Sequence, residues 1–142
     1  LIWTAGSNPS IPAISPTPVL VRGRLAVEAD LRMVGSTNSF ALGDISARPG
    51  SPWPASAQVA MQQGDATAAA IASLRIGEEP QAFQFEDRGE MLSLGVGDAT
   101  LTGMGLTLAG PLAFQLRRAT YLTRLPGLSL GLRSAGAWLL SR

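Results

Sequence analysis

Gly43 and Asp44 are the residues of this 142-residue chain whose types and position best suit ligand chemistry. The preceding Phe40-Ala41-Leu42 is short, apolar and flanked by turn-forming residues, which predicts a brief buried strand of an α/β sheet. Asp44 is then expected at the carboxyl end of that strand, where open α/β sheets bind ligands, with a carboxylate that accepts hydrogen bonds from ligand hydroxyls. The alternative interpretation is that Asp44 only caps a turn.

Gln58 and Gln62 form a second polar pair, on a helix predicted to run from Ala55 to a stop at Gly77. Residues four apart share a helix face, so the two amides are expected side by side. Such a pair is suited to holding carbonyl oxygens, and the nearby helix N-terminus adds backbone N–H groups and the positive end of a dipole. The alternative is a solvated polar face. Gly64 lies inside the same helix, where a close packing partner would explain its presence.

The chain contains no cysteine and no histidine. This excludes, within the chain, disulfide scaffolds, thiolate nucleophiles, Cys or His metal sites and imidazole acid–base chemistry. Redox chemistry would therefore require an organic cofactor. We predict no metal site and no catalytic side chain in this sequence.

The elements that position these residues begin with a strand predicted at Leu1–Gly6. A Ser- and Pro-rich connection over 7–18 follows, and its composition opposes regular structure. Residues 24–33 alternate between polar and apolar types with one interruption, which predicts a half-exposed strand pair or hairpin.

The second half of the chain is separated by a boundary predicted after Glu78, giving domains over 1–78 and 79–142. The later domain has two predicted strands and two predicted helices, at 91–94, 99–101, 111–125 and 128–140. The turn Gly95-Val96-Gly97-Asp98 lacks the third glycine of a dinucleotide-binding fingerprint and precedes a strand, so we interpret it as a hairpin turn.

Two segments carry a resemblance to a known family. The run STNSFALGD at 36–44, followed after a spacer by ASAQVAMQQG at 55–64, resembles the closing FAD motif and following helix of two-dinucleotide-domain flavoprotein reductases. Within that group, Ala57-Gln58 with Gln62-Gln63 resembles the type II NAD(P)H:quinone oxidoreductases, and residues 86–114 are similar to cyanobacterial and plastid-type members. The resemblance covers nearly the whole chain. It implies an α/β fold, in which the C-terminal part of a Rossmann-like FAD-binding domain is followed by a small α+β membrane-anchoring domain.

The same resemblance implies FAD as cofactor and NAD(P)H as co-substrate. It implies that Gly43 and Asp44 meet the flavin ribityl chain, with Asp44 binding a hydroxyl, and that Ala57, Gln58 and Val59 meet the pyrimidine edge of the flavin ring. A helix N-terminus at that edge would stabilise negative charge on reduced flavin. The implied reaction is hydride transfer from NAD(P)H to FAD, followed by two-electron reduction of a quinone.

Quinone is the second substrate that the resemblance implies, held near Gln58 with support from Gln62. The charged turn containing Arg88 approaches the quinone in relatives, where Arg88 would polarise a quinone oxygen. Ion pairing of Arg88 with Glu86 or Asp87 at the surface is the alternative.

The distribution of charge points to a membrane surface as partner. The net charge is only +1, which by itself argues for no particular partner, and we expect no nucleic acid. The charges are nevertheless unevenly distributed: all ten acidic residues lie at or before Asp98, whereas 99–142 holds five arginines. Residues 126–142 are too few to span a bilayer, which takes about 20 apolar residues. We therefore expect C-terminal helices that lie on anionic lipid, peripheral to the cytoplasmic face of a membrane. A pair of core helices or a homodimer interface is the alternative.

The chain is expected to be a fragment, because Leu1 is not Met and enters a predicted strand directly. No G-x-G-x-x-G motif is present, so the NAD(P)H site and the ADP-binding half of an FAD site would lie upstream, and this chain alone would be inactive. The alternative function is a non-catalytic membrane-association or dimerisation module.

Overall fold

The computed structural model describes residues 8–103 and 105–140, so the strand predicted at Leu1–Gly6 lies outside the described residues. The described part is a mixed α/β structure with two small sheets and three α-helices. The chain divides into two compact units, Leu1–Asp87 and Arg88–Arg142. Residues 79–87 belong to the first unit because Phe83 is buried there and its N–H donates to the carbonyl of Ala29 at 2.8 Å.

The sheet of the first unit has three very short strands, in the order β1 (Leu20–Val21), β2 (Arg24–Ala26) and β3 (Ser46–Ala47). β1 and β2 are antiparallel, whereas β2 and β3 are parallel. The two-residue turn between β1 and β2 has left-handed backbone at Arg22 (φ 51°) and Gly23 (φ 74°), as tight hairpins require. This hairpin was not predicted, because its strands are too short to show a period.

The strand pair predicted over 24–33 is present as β2 and an antiparallel bridge between Val27 and Met33. The strand predicted at Phe40–Leu42 is wrong in extent. Phe40 forms only an isolated bridge with Arg32, since left-handed backbone at Gly43 (φ 68°) turns the chain away two residues after Ala41. Ala41 is nevertheless buried, as the prediction required.

Helix α1 runs from Ala57 to Arg75, within the predicted limits. It begins after Ser56, whose Oγ accepts a hydrogen bond from the Val59 N–H at 3.3 Å, an N-cap that satisfies one of the unpaired amides of the first turn. The explanation offered for Gly64 is wrong: a Cβ there would meet no atom within 4 Å.

The core of the first unit gathers residues from distant parts of the sequence. Trp53 packs edge-on against Phe83, with ring centroids 5.2 Å apart. Leu31 is fully buried although its backbone is left-handed (φ 71°), a conformation rare for a non-glycine residue. The buried members of this core are Leu25, Val27, Leu31, Ala41 and Phe83.

The second unit contains an antiparallel sheet in the order β4 (Glu90–Gly95), β5 (Asp98–Gly103) and β6 (Leu106–Ala109). The two predicted strands and the hairpin turn between them are confirmed as β4 and β5. β6 was not predicted. It pairs with β5 from Gly103↔Leu106 to Thr100↔Ala109.

Two helices complete the second unit, α2 (Pro111–Leu122) and α3 (Leu128–Leu140), and both were predicted. α2 packs against β5, where Ala99 and Ala113 are completely buried and their small side chains let helix and sheet approach closely. Among the described residues, none of the helices has both the length and the apolar character needed to cross a membrane.

Candidate functional site

The Gly43-Asp44 turn is a short 3₁₀ helix, Gly43–Ile45, whose backbone is held at its start. The carbonyl of Gly43 accepts hydrogen bonds from the Ser46 N–H and from Ser46 Oγ, the latter at 3.0 Å. Asp44 is exposed, and within the described residues its carboxylate makes no hydrogen bond or ion pair. The turn therefore presents an acceptor to solvent on a fixed backbone.

This turn lies directly on α1. The Gly43 N–H donates to Oε1 of Gln63 at 2.6 Å, and a Cβ built on Gly43 would be 3.4 Å from the Cβ of Ala60. Both contacts fall within the first two turns of the helix, at 3.6 residues per turn. The structure thus brings together the predicted turn and the predicted helix start.

The start of α1 contains three predicted site residues, and they are not equivalent. Ala57 is exposed in the first turn, whereas Val59 is buried and its N–H is capped by Ser56. Gln58 is half-buried. Because the first N–H groups of a helix lack acceptors within it, this end offers hydrogen-bond donors and the positive end of the helix dipole.

Gln58 and Gln62 share a face, as their spacing predicted. Nε2 of Gln62 lies 3.5 Å from Oε1 of Gln58. The amide of Gln62 also pairs with the main chain of Glu86 at both ends: Nε2 donates to the carbonyl at 2.8 Å, and Oε1 accepts from the N–H at 3.0 Å. The backbone of Glu86 therefore holds the Gln62 amide in place, with its Nε2 next to the Oε1 of Gln58.

Arg88 is the first residue of the second unit, just before β4, and it is exposed. The described residues contain no group of three or more Asp or Glu side chains that could hold a metal ion.

The surface of the second unit is unusually apolar. On α2 Leu112 is 60% exposed, and on α3 Leu128 and Leu139 are each 83% exposed. Arginines lie over aromatic rings beside these leucines: the guanidinium of Arg118 is 4.3 Å from the Trp138 ring centroid, and others stack on Tyr121. Stacking of this kind covers the ring while the charge stays available to anions.

An open groove of about 430 Å³ runs between α2 and α3. Its lining combines apolar side chains with the guanidinium of Arg118 and the amide of Gln115. The lining residues are Gln115, Arg118, Ala119, Leu122, Ala135, Trp138 and Leu139.

Comparison with curated proteins gives clear relatives, although no family model matches the chain. An alternative NAD(P)H-ubiquinone oxidoreductase of Arabidopsis thaliana is 35% identical over 89% of this chain and 26% of its own length. A demethylphylloquinone reductase of Synechocystis is 37% identical over 98% of this chain and 37% of its own length. A type II NADH:quinone oxidoreductase of Staphylococcus epidermidis is 37% identical over 82% of this chain and 30% of its own length.

The chain is homologous to the C-terminal portion of type II NADH:quinone oxidoreductases. Its named homologues are enzymes of this class. The chain spans about a third of the length of these curated relatives.

Within this homologue of type II NADH:quinone oxidoreductases, sequence reasoning missed two residues that organise the site. Gln63 anchors the Gly43 turn, and Glu86 provides the main-chain groups that hold Gln62. Gln63 was detectable in principle, because it lies in a helical stripe with Val59 and Thr67, all buried. Glu86 carried no local signal in the sequence, since Gln62 pairs with its backbone groups, which every residue type except proline has.

Proposed function

We propose that this chain is part of an FAD-dependent oxidoreductase that passes electrons from NAD(P)H to a membrane quinone. The observation that carries the proposal is the exposed Asp44 turn fixed on the first two turns of α1, in a homologue of type II NADH:quinone oxidoreductases. The names of two relatives specify NAD(P)H with ubiquinone and a demethylphylloquinone, which supports these substrate classes.

The residues present fit the flavin end of FAD. Asp44 supplies an acceptor for a ribityl hydroxyl, and the start of α1, from Ala57, supplies donors and a positive dipole end for the carbonyl-rich pyrimidine edge. When bound, FAD supplies the hydride-accepting and electron-donating chemistry that the side chains of this sequence lack. Gly43 contributes a surface without a side chain beside Ala60, where an added Cβ would come to 3.4 Å from the Ala60 Cβ.

We propose that the first unit is the C-terminal part of a Rossmann-like FAD-binding domain, which the sequence predicts over 1–78, and that the second unit is the small domain for the membrane and the quinone, predicted over 79–142. The parallel pairing of β2 with β3, followed directly by α1, supports the first assignment, since parallel strands alternate with helices in such domains. We assign neither NAD(P)H binding nor the ADP half of the FAD site to these 142 residues, because they contain no G-x-G-x-x-G motif.

Gln58 is the proposed donor to a quinone carbonyl, and Gln62 supports it. The backbone of Glu86 fixes the positions of the oxygen and nitrogen of the Gln62 amide, because a backbone N–H only donates and a backbone carbonyl only accepts. Nε2 of Gln62 consequently faces Oε1 of Gln58 and favours one orientation of that amide. Arg88 is proposed to polarise a quinone oxygen.

We propose that α2 and α3 bind the surface of an anionic membrane, with the protein peripheral to its cytoplasmic face. Leucines at 60% and 83% exposure on both helices supply apolar contact, and the arginines stacked on aromatic rings meet lipid phosphates. The same apolar surface favours the second candidate function, a non-catalytic module for membrane association or homodimerisation.

The test is the flavin absorbance spectrum of the purified protein, for this chain and for a form extended upstream, each with and without vesicles. We expect bound flavin in the extended form and its loss in Asp44→Ala, while Asp65→Ala, an exposed acid further along α1, retains it. Vesicle pelleting should require residues 109–142. Absence of flavin from both forms, with membrane or self-association intact, would favour the non-catalytic module.

A further inference from the structure

Gln63 is a buried polar side chain that joins two elements far apart in sequence. It is 1% exposed, and its Oε1 accepts the Gly43 N–H at 2.6 Å across a sequence separation of 20 residues. A backbone N–H is only a donor, so this bond also fixes which end of the Gln63 amide faces the turn.

Gly43 is therefore held at both of its backbone polar groups. Gln63 takes its N–H, and Ser46 donates to its carbonyl with both backbone and side chain. A Cβ built on Gly43 would lie 3.4 Å from the Cβ of Ala60, an ordinary van der Waals separation, so Gly43 faces the helix at this point. Asp44 is the next residue, so the hydrogen bond from Gly43 to Gln63 also determines where the Cα of Asp44 lies.

We propose that Gln63 is a positioning residue that sets the Gly43-Asp44 turn against the start of α1 for flavin binding. This inference rests on the proposed function. A ligand that hydrogen-bonds both to the Asp44 carboxylate and to the first backbone N–H groups of α1 requires a fixed distance between these two sites. Gln63 fixes that distance, because it belongs to α1 and accepts the hydrogen bond of the Gly43 N–H.

The first measurement is hydrogen exchange at the Gly43 amide in the natural protein, including any sequence upstream of Leu1. Gln63→Leu keeps a side chain of similar volume but has no acceptor. We expect this change to speed exchange of the Gly43 amide at least about tenfold, the effect of losing roughly 1.4 kcal/mol of protection. Gln63→Glu restores an acceptor oxygen at the same reach and should recover much of the protection.

The second measurement is flavin affinity from quenching of flavin fluorescence. We expect Gln63→Leu to weaken binding about tenfold, as removal of one buried hydrogen bond implies. Thr67→Val is the matched control, since Thr67 is buried one turn later on the same helix face and contacts no part of the turn through its hydroxyl. Circular dichroism of each variant confirms that α1 is folded.

Two results would overturn the inference. Unchanged Gly43 exchange in Gln63→Leu would show that Gln63 does not hold the turn. Faster exchange with wild-type flavin affinity would show that the held turn has no part in binding. A wild-type protein without flavin would instead overturn the proposed function and the flavin part of this inference, and the exchange data would still report separately on the anchor.

Discussion

At the scale of single residues, Gly43 and Gly64 have opposite conformational requirements. Gly43 has left-handed backbone (φ 68°), which side-chain-bearing residues adopt at a cost, whereas Gly64 lies in the interior of α1 with open space around it. The same substitution at the two positions therefore separates backbone strain from helix propensity.

We predict that Gly43→Ala lowers the free energy of unfolding by about 1–2 kcal/mol, the strain of a left-handed alanine. Gly64→Ala should raise it by about 1 kcal/mol, because alanine is the better helix former. Chemical denaturation followed by the fluorescence of Trp53 measures both. Equal signs for the two substitutions would contradict this account.

Thr67 is a buried residue whose hydroxyl oxygen has no hydrogen-bond partner among the described residues. A buried hydroxyl without a partner destabilises the folded state relative to a methyl of the same shape. We predict that Thr67→Val leaves stability unchanged or raises it by up to about 1 kcal/mol. A loss of more than about 1 kcal/mol would reveal a partner for this hydroxyl.

At the scale of elements, the loop before the predicted flavin turn is held by one arginine. Arg32 donates two hydrogen bonds to Asp30, from its backbone N–H to Oδ1 at 3.1 Å and from Nε to Oδ2 at 2.7 Å. It also donates from Nη2 to Oε2 of Glu79 at 3.1 Å. The hydrogen bond that Arg32 donates to the Asp30 carboxylate raises the pKa of Arg32 above its ordinary value. Asp30 is 10% exposed and Glu79 is 82% exposed.

We predict that Asp30→Ala destabilises the first unit by about 1–3 kcal/mol, because it removes two hydrogen bonds to a largely buried carboxylate. Glu79→Ala breaks an ion pair of the same arginine at the surface and should change stability by no more than about 0.5 kcal/mol. Thermal denaturation of the two variants provides the comparison. A larger loss for Glu79→Ala than for Asp30→Ala would refute the ranking.

The elements that the sequence predicted best are those with local signals. α1 has Ser56 and Gly77 at its ends, and α2 and α3 are separated by Pro126-Gly127, so propensity and capping suffice. The strand at Phe40–Leu42 was overestimated because its pairing with residues 31–33 stops after a single bridge, and pairing extent is not encoded locally. For the site, the shared face of Gln58 and Gln62 was predictable from their spacing. The hydrogen bonds of Gln63 to Gly43 and of Gln62 to Glu86 were not, because they join residues far apart in sequence.

At the scale of the molecule, the second unit combines a basic character with exposed leucines, and the two features would contribute separately to the proposed membrane binding. Leu132 and Leu139 lie on one side of α3 and are 67% and 83% exposed. We predict that Leu132→Glu or Leu139→Glu weakens binding to anionic vesicles about tenfold or more, from the lost burial of one leucine. Flotation with vesicles measures the effect.

The matched control for this prediction is Leu106→Glu on β6, where the leucine is 73% exposed but does not belong to a helix. It should leave vesicle binding unchanged. Raising salt should weaken binding of the wild-type protein to anionic vesicles, since each arginine near the surface contributes about 1 kcal/mol that salt screens. An equal loss from Leu106→Glu would place the contact elsewhere on this unit.

The tryptophans give each unit an optical signature of its own. Trp53 lies edge-on to Phe83 in the core of the first unit, whereas Trp138 in the second unit lies under the guanidinium of Arg118. Emission from the two indoles should differ, because one packs against the apolar core and the other faces a positive charge. In a protein with Trp3 replaced by Phe, the further change Trp53→Phe leaves Trp138 as the single tryptophan, and Trp138→Phe instead leaves Trp53. Unfolding of the first unit and the proposed docking of the second unit on lipid would then be observed separately in one sample.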